Sequence, residues 1–198
     1  MNTESAAASE VTPEIFKFFR DFALKWTGIS LGEDKLYLVE SRLAQIVKET
    51  DCESVIDLYR KLQVAPSAEL KQAVIDRFTT NETLFFRDAS PFEFLSSKLF
   101  PELRLQNKET KTLRIWSAAS SSGQEVYSIM MTLAEHAPDL LTWNFEVLAT
   151  DISDSILKKA QDGIYSQLEV SRGLPLNLLA RYFKQGPDGW QVDEKLRE

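Results

Sequence analysis

This 198-residue sequence holds a single cysteine, Cys52, a single histidine, His136, and no excess of positive charge. One thiol cannot close an internal disulfide, so the fold must rest on its core, and a reducing, cytoplasmic setting is expected. One cysteine and one histidine make no metal centre, and no Ser–His–Asp or Cys–His arrangement is present for nucleophilic catalysis. Cys52 lies on a mostly apolar helix and reads as packing. His136 falls near a helix C-terminus, where the dipole favours a basic group. With 23 Lys+Arg against 30 Asp+Glu the net charge is −7. Both halves share the imbalance, with 10 basic and 13 acidic residues up to Thr80 and 13 and 17 after it. That argues against general phosphate-backbone binding, so no nucleic acid partner is expected. No apolar run approaches the roughly 18 residues of a membrane span. The start, MNTESAAASE, lacks the basic and apolar regions of a signal peptide, so no membrane insertion is expected. What is present is ordinary for a soluble domain: 43% hydrophobic and 27% charged residues.

Residues 1–11 are small and polar and read as a disordered tail. Thr12-Pro13-Glu14 is a helix start, with Thr as cap, Pro in the first turn and an acid beside it. Ile15, Phe18, Phe19, Phe22 and Trp26 then recur at helical spacing up to Gly28. A second helix is expected from Glu33 or Asp34, with Leu36, Val39, Leu43, Ile46 and Val47 inward and Arg42 and Lys48 off the stripe. A third is expected over Asp51 to Gln63, and a fourth capped by Ser67. Residues 12–78 thus read as an all-α, four-helix domain. Residues 79–90 read as a linker, polar at first and aromatic at its centre.

Residues 91–198 change character. Ser90-Pro91 opens a helix expected to end near Phe100. Leu113 to Ala119 is strand-like and runs into Ser120-Ser121-Ser122-Gly123, a small-residue turn before a helix from Gln124 to His136. A second strand, Phe145 to Thr150, ends at Asp151, and Ser153 caps the next helix. Strand, turn, helix, strand, acid, helix is the order of a βαβ nucleotide-binding unit. Arg181 to Lys184 and Trp190 to Val192 flank Gly186-Pro187-Asp188-Gly189, a hairpin signal covering about 180–196.

Three places offer chemistry. The Ser120–Gly123 turn lets backbone N–H groups approach a ligand and has a helix N-terminus behind it, although a plain tight turn looks the same. Glu125, just inside that helix, is either an acid favoured by the dipole or an acceptor for an ammonium or hydroxyl. Asp151, at the second strand's end, either caps the following helix or accepts the two hydroxyls of a ribose. The stretch Asn81-Glu82-Thr83-Leu84-Phe85-Phe86-Arg87-Asp88 sets an amide, a hydroxyl and a guanidinium beside an aromatic pair. Arg87 there either pairs with Asp88 or clamps a carboxylate.

Taken together, TTNETLFFRD, LRIWSAASSSGQEVYSI, EVLATDIS and the later Gly163-Ile164-Tyr165, Arg172-Gly173-Leu174-Pro175 and Arg181-Tyr182-Phe183 resemble, in order, the chemotaxis-receptor methyltransferases, the CheR family. The resemblance runs from about Leu36 to the end of the chain. It implies an all-α N-terminal domain followed by an α/β Rossmann-like domain that binds S-adenosylmethionine and carries a small β-subdomain. The implied activity is methylation of glutamate side chains on the cytoplasmic helices of chemoreceptors, leaving S-adenosylhomocysteine. Residue by residue, it implies that Asn81 and Thr83 contact the cofactor and that Arg87 lies by the methyl-transfer site. Glu125 and Asp151 are the cofactor-binding acids, Ala119 lends backbone contact, and no metal is required. Arg42 and Lys48 are the implied contacts for acidic receptor helices.

Gln124 and Val126 stand where the family usually has Glu and Pro. The short loop between Phe183 and Trp190 implies a member that works without a receptor pentapeptide. The family's α/β domain usually extends roughly 80 residues further, so an incomplete domain is expected here. Its open sheet edge invites a second copy and hence a dimer. The alternatives are a module that binds the cofactor without turnover and a nicotinamide-dependent dehydrogenase; the latter lacks its three-glycine pattern.

Overall fold

The computed structural model describes residues 11–197. The tail expected over 1–11 lies outside them except for Val11. The chain divides into two compact units between Thr80 and Asn81.

The first unit is helical: α1 (Pro13–Thr27), α2 (Leu36–Glu49), α3 (Val55–Val64) and α4 (Ala68–Phe78). Its ends follow from local chemistry. The Thr12 hydroxyl accepts the Ile15 N–H at 3.3 Å, and Gly28 stops α1 in a left-handed turn. Ser67 caps α4 in the same way as Thr12 caps α1. The third helix starts later than its periodicity predicts, at Val55. Ser54 captures the Asp57 N–H at 3.1 Å and fixes the start there, leaving Asp51 outside. Before α2, residues Glu33–Lys35 form a short 3₁₀ turn. Phe19, Val39, Leu43, Ile46, Leu58, Val74 and Phe78 are fully buried together, each worth about 1.5–3 kcal/mol of transfer from water. Cys52 packs into this core as expected, but from the segment between α2 and α3 and not from a helix.

The second unit opens with α5 (Ser90–Phe94), a π-helical turn (Leu95–Leu99) and α6 (Phe100–Gln106). The helix therefore runs past Phe100, where it was expected to end. Pro101 has no N–H for the carbonyl four residues back and its ring crowds that carbonyl. The preceding turn widens, with the Phe100 N–H bonded to the Leu95 carbonyl, and the helix continues. Next come β1 (Thr112–Ala118), α7 (Gln124–His136), β2 (Asn144–Thr150) and α8 (Asp154–Asp162). β1 and β2 pair in parallel, with Ser117 opposite Ala149 and Ala118 opposite Thr150. One face of the pair packs inward through Leu113, Ile115 and Phe145 against Leu133, Leu140 and Phe100. The other face is open: Trp116 and its partner Leu148 are 70% and 54% exposed, beside an Arg114–Glu146 ion pair. A parallel sheet is ordinarily covered on both faces.

The chain ends in β3 (Ile164–Tyr165), α9 (Gln167–Ser171), α10 (Leu176–Tyr182), β4 (Phe183–Gly186) and β5 (Gly189–Val192). The expected hairpin is present, but β3 joins it to make a three-stranded antiparallel sheet in the order β3-β5-β4. Arg181 and Tyr182, expected in the strand, close α10 instead, because Leu178 and Leu179 bury the helical face of that segment. Phe85 is fully buried with Tyr165, Phe183, Met131 and Val192, so the aromatic stretch after Asn81 is core for this unit as well as a carrier of polar groups.

Candidate functional site

The loop joining β1 to α7 is the centre of the site. Ala119, Ser121 and Gly123 have φ of 57°, 50° and 88°, a left-handed backbone that costs non-glycine residues roughly 1–3 kcal/mol each. Hydrogen bonds hold it in that shape. The Ser120 N–H donates to the Thr150 carbonyl at 3.0 Å, and the Ser121 N–H to Asp151 Oδ2 at 2.8 Å. The Ser121 hydroxyl donates to the Asn81 carbonyl at 2.9 Å. Asn81, Ala119 and Asp151, far apart in sequence, are thereby gathered at one loop.

Asp151 is engaged at both carboxylate oxygens, but it is not the cap of α8. Oδ1 accepts the Ser153 N–H at 3.0 Å at the start of α8, whose cap is Ser153 itself, while Oδ2 holds the loop. Each oxygen keeps a further lone pair for hydroxyl donors. Glu125, exposed in the first turn of α7, accepts the Ser117 hydroxyl at 2.9 Å. No side chain caps α7, so its positive end is available to a carboxylate.

The Asn81–Asp88 stretch is strained at its far end, where Phe86, Asp88 and Ala89 have φ of 50°, 60° and 24°. The Phe86 N–H donates to Ser128 Oγ at 3.0 Å, and that hydroxyl donates to the Gln124 carbonyl at 2.6 Å. The backbone beside Arg87 is therefore pinned to the first turns of α7. Arg87 is exposed, and among the described residues no carboxylate pairs with it, Asp88 included. Thr83 is half-buried, and no hydrogen bond of its side chain is found among the described residues. On the other side, Arg172 pairs with Glu82 at 3.7 Å, and a Cβ placed on Gly173 would collide with the Phe85 carbonyl.

Arg42 and Lys48 differ. The Arg42 guanidinium donates to the Phe78 carbonyl at 2.7 Å and lies over the Phe78 ring, and burial lowers its pKa. It secures the end of α4 within the helical unit. Lys48 is exposed, with no ion pair among the described residues. Reading the sequence gave no role to Ser121, Ser128 or Tyr165. The serines stood in quoted motifs, but their partners lie up to 42 residues away.

The donor set suits a small, zwitterionic, ribose-bearing ligand. Two carboxylates, Glu125 and Asp151, can accept from hydroxyl or ammonium donors, and no side chain caps the N-terminus of α7. The Ser120 hydroxyl is buried in the loop without a partner among the described residues. No group of three or more His, Cys, Asp or Glu fit to hold a metal occurs among the described residues. Nor is any helix there long and apolar enough to cross a membrane.

Comparison with known proteins identifies the family. Residues 81–198 match the CheR methyltransferase SAM-binding domain, and residues 14–79 match the CheR methyltransferase all-alpha domain. S-adenosylmethionine is therefore the cofactor of the second unit. A chemotaxis protein methyltransferase of Pseudomonas putida and another of Pseudomonas aeruginosa are each 42% identical over 186 residues, 92% of this chain and 67% of theirs. One from Vibrio parahaemolyticus is 41% identical over 185 residues, 92% of this chain and 66% of its own. The chain thus spans about two thirds of the length of these relatives, and it belongs to the CheR family of chemotaxis methyltransferases.

Proposed function

We propose that the protein moves a methyl group from S-adenosylmethionine to glutamate side chains on the cytoplasmic helices of chemoreceptors, working in the cytoplasm. The observation that carries this reading is the loop after β1, clamped between Asp151 and Asn81 inside the residues that match the cofactor-binding domain. When bound, the cofactor supplies an electrophilic methyl group on a positively charged sulfur. Asp151 and Glu125 hold its hydroxyls and ammonium, and the uncapped end of α7 holds its carboxylate.

Arg87 is exposed and pairs with no carboxylate among the described residues, which fits it to orient a carboxylate of the substrate or cofactor. A glutamate of ordinary pKa, about 4.3, is already ionised at neutral pH, so no residue of this chain has to act as a base. The demand is alignment at roughly 3–3.5 Å in a site poor in water. Thr83 completes the set that contacts the cofactor. Lys48 meets the acidic receptor helices, and Arg42 supports that surface by holding α2 to the end of α4. The unpaired edges of the two-stranded β1-β2 sheet support pairing with a second copy, which sedimentation over a concentration range tests.

The deciding experiment is transfer of labelled methyl from the cofactor to receptor helices, with the label released by mild alkali as a glutamyl ester requires. Transfer into an alkali-stable product overturns glutamate as acceptor, and product binding with no transfer favours the module without turnover. In the same assay Arg87→Ala is expected to cut turnover more than it weakens S-adenosylhomocysteine binding. Equal losses assign Arg87 to binding alone.

A further inference from the structure

Gly163-Ile164-Tyr165 has no part in the chemistry above, yet Tyr165 reaches the site from outside it. It lies on β3, is fully buried, and donates its hydroxyl to the Ser122 carbonyl at 2.6 Å. Its ring is fixed by edge-on contacts with Phe85 at 5.0 Å, Tyr127 at 6.2 Å and Phe183 at 6.3 Å, so the hydroxyl has one aim. Burial raises its pKa and keeps the proton in place. The loop is also pressed against it, because a Cβ on Gly123 would stand 3.2 Å from the Tyr165 hydroxyl and 2.9 Å from Ala160 Cβ. Ser120 and Ser121 tie the loop to Thr150, Asp151 and Asn81, all at the site's own edge. The bond at Ser122 is the tie to the small antiparallel sheet.

We propose that Tyr165 is a positioning residue: through the Ser122 carbonyl it holds residues 119–123 in the shape that grips the cofactor, so that the β3-β5-β4 sheet sets the affinity of the donor site. This rests on the function proposed above. The molecule contains its own control. Tyr127 is also buried and its hydroxyl donates to a carbonyl at 2.7 Å, but that carbonyl is Ala160 in α8, outside the loop. Tyr165→Phe and Tyr127→Phe each remove one buried O–H···O=C bond and keep the ring, so their structural losses are matched.

With S-adenosylhomocysteine as the titrant in calorimetry, Tyr165→Phe is expected to weaken binding about 5- to 10-fold and Tyr127→Phe less than about twofold, at similar falls in Tm. In turnover, the KM for the methyl donor rises with Tyr165→Phe while the KM for receptor holds. Binding by Tyr165→Phe within twofold of the parent, or equal weakening in both variants, overturns the proposal. If Tyr165→Phe gives no cooperative melt, hydrogen exchange on the unaltered chain decides. By reciprocity, product binding has to slow exchange at 163–165 as well as at 120–124, and an unchanged 163–165 overturns the proposal. A parent chain that fails to bind the product at all brings down the functional reading, and this inference with it.

Discussion

In the helical unit, the positive φ found among the described residues belongs to a glycine, Gly28, where α1 ends. In the second unit Phe86, Asp88, Ala89, Lys111, Ala119 and Ser121 all carry it. The helical unit uses its polar groups on caps and its apolar ones on a regular core. The second unit uses serine hydroxyls and one aspartate to hold main chain where it would not otherwise stay. Five of its six strained residues lie in the two segments that carry Arg87 and Ala119. Strain gathered in that way is the pattern of a ligand-gripping site.

The sharpest way to separate the two is to hollow each core. Phe85→Ala and Phe19→Ala both remove a fully buried ring, at about 3–5 kcal/mol each by urea denaturation. Only Phe85→Ala is expected to abolish S-adenosylhomocysteine binding, and loss of binding in Phe19→Ala would break the division. Next, Asp151→Ala releases the Ser121 N–H and removes the hydroxyl acceptor. Binding should weaken by about 30-fold, or about 2 kcal/mol, on a calorimetric titration. Ala119→Gly tests the strain directly: relief of a left-handed alanine should raise unfolding stability by about 1 kcal/mol, whereas a fall would show that the loop is not strained there.

The smallest effect is in acid. The Tyr182 hydroxyl, at 2.5 Å, and then Arg181 hold the Glu135 carboxyl below its usual pKa. A carboxyl whose pKa is lower in the folded state stabilises above the unfolded value of about 4.3 and loses that contribution as pH falls through and below it. The stability gap between the parent and Glu135→Gln should therefore be present near pH 6 and shrink towards pH 3.

How much could be read in advance depended on range. Thr12, Gly28, Ser67 and Ser153 act on neighbours within four residues, and each marked its helix end in the sequence. Ser54 acts just as locally, but the apolar spacing alone pointed to a start at Asp51. β3 is two residues long and its pairing of Tyr165 with Trp190 spans the intervening helices, so no local period announces it. Asp151 stood out because it closes the second strand of a βαβ pattern. The Ser121 bonds to Asp151 and Asn81 did not, since they depend on a backbone that only the folded unit supports. Arg181 and Tyr182 looked like strand because of their neighbours and are helical because of Leu178 and Leu179.

Gly173 carries one more consequence. With the Phe85 carbonyl occupying the space where any side chain would begin, the only residue tolerated there is the one with none. Saturation mutagenesis should return an empty column at 173 beside a permissive one at 172, and the map of permitted substitutions would trace the seam where two stretches of main chain lie against each other.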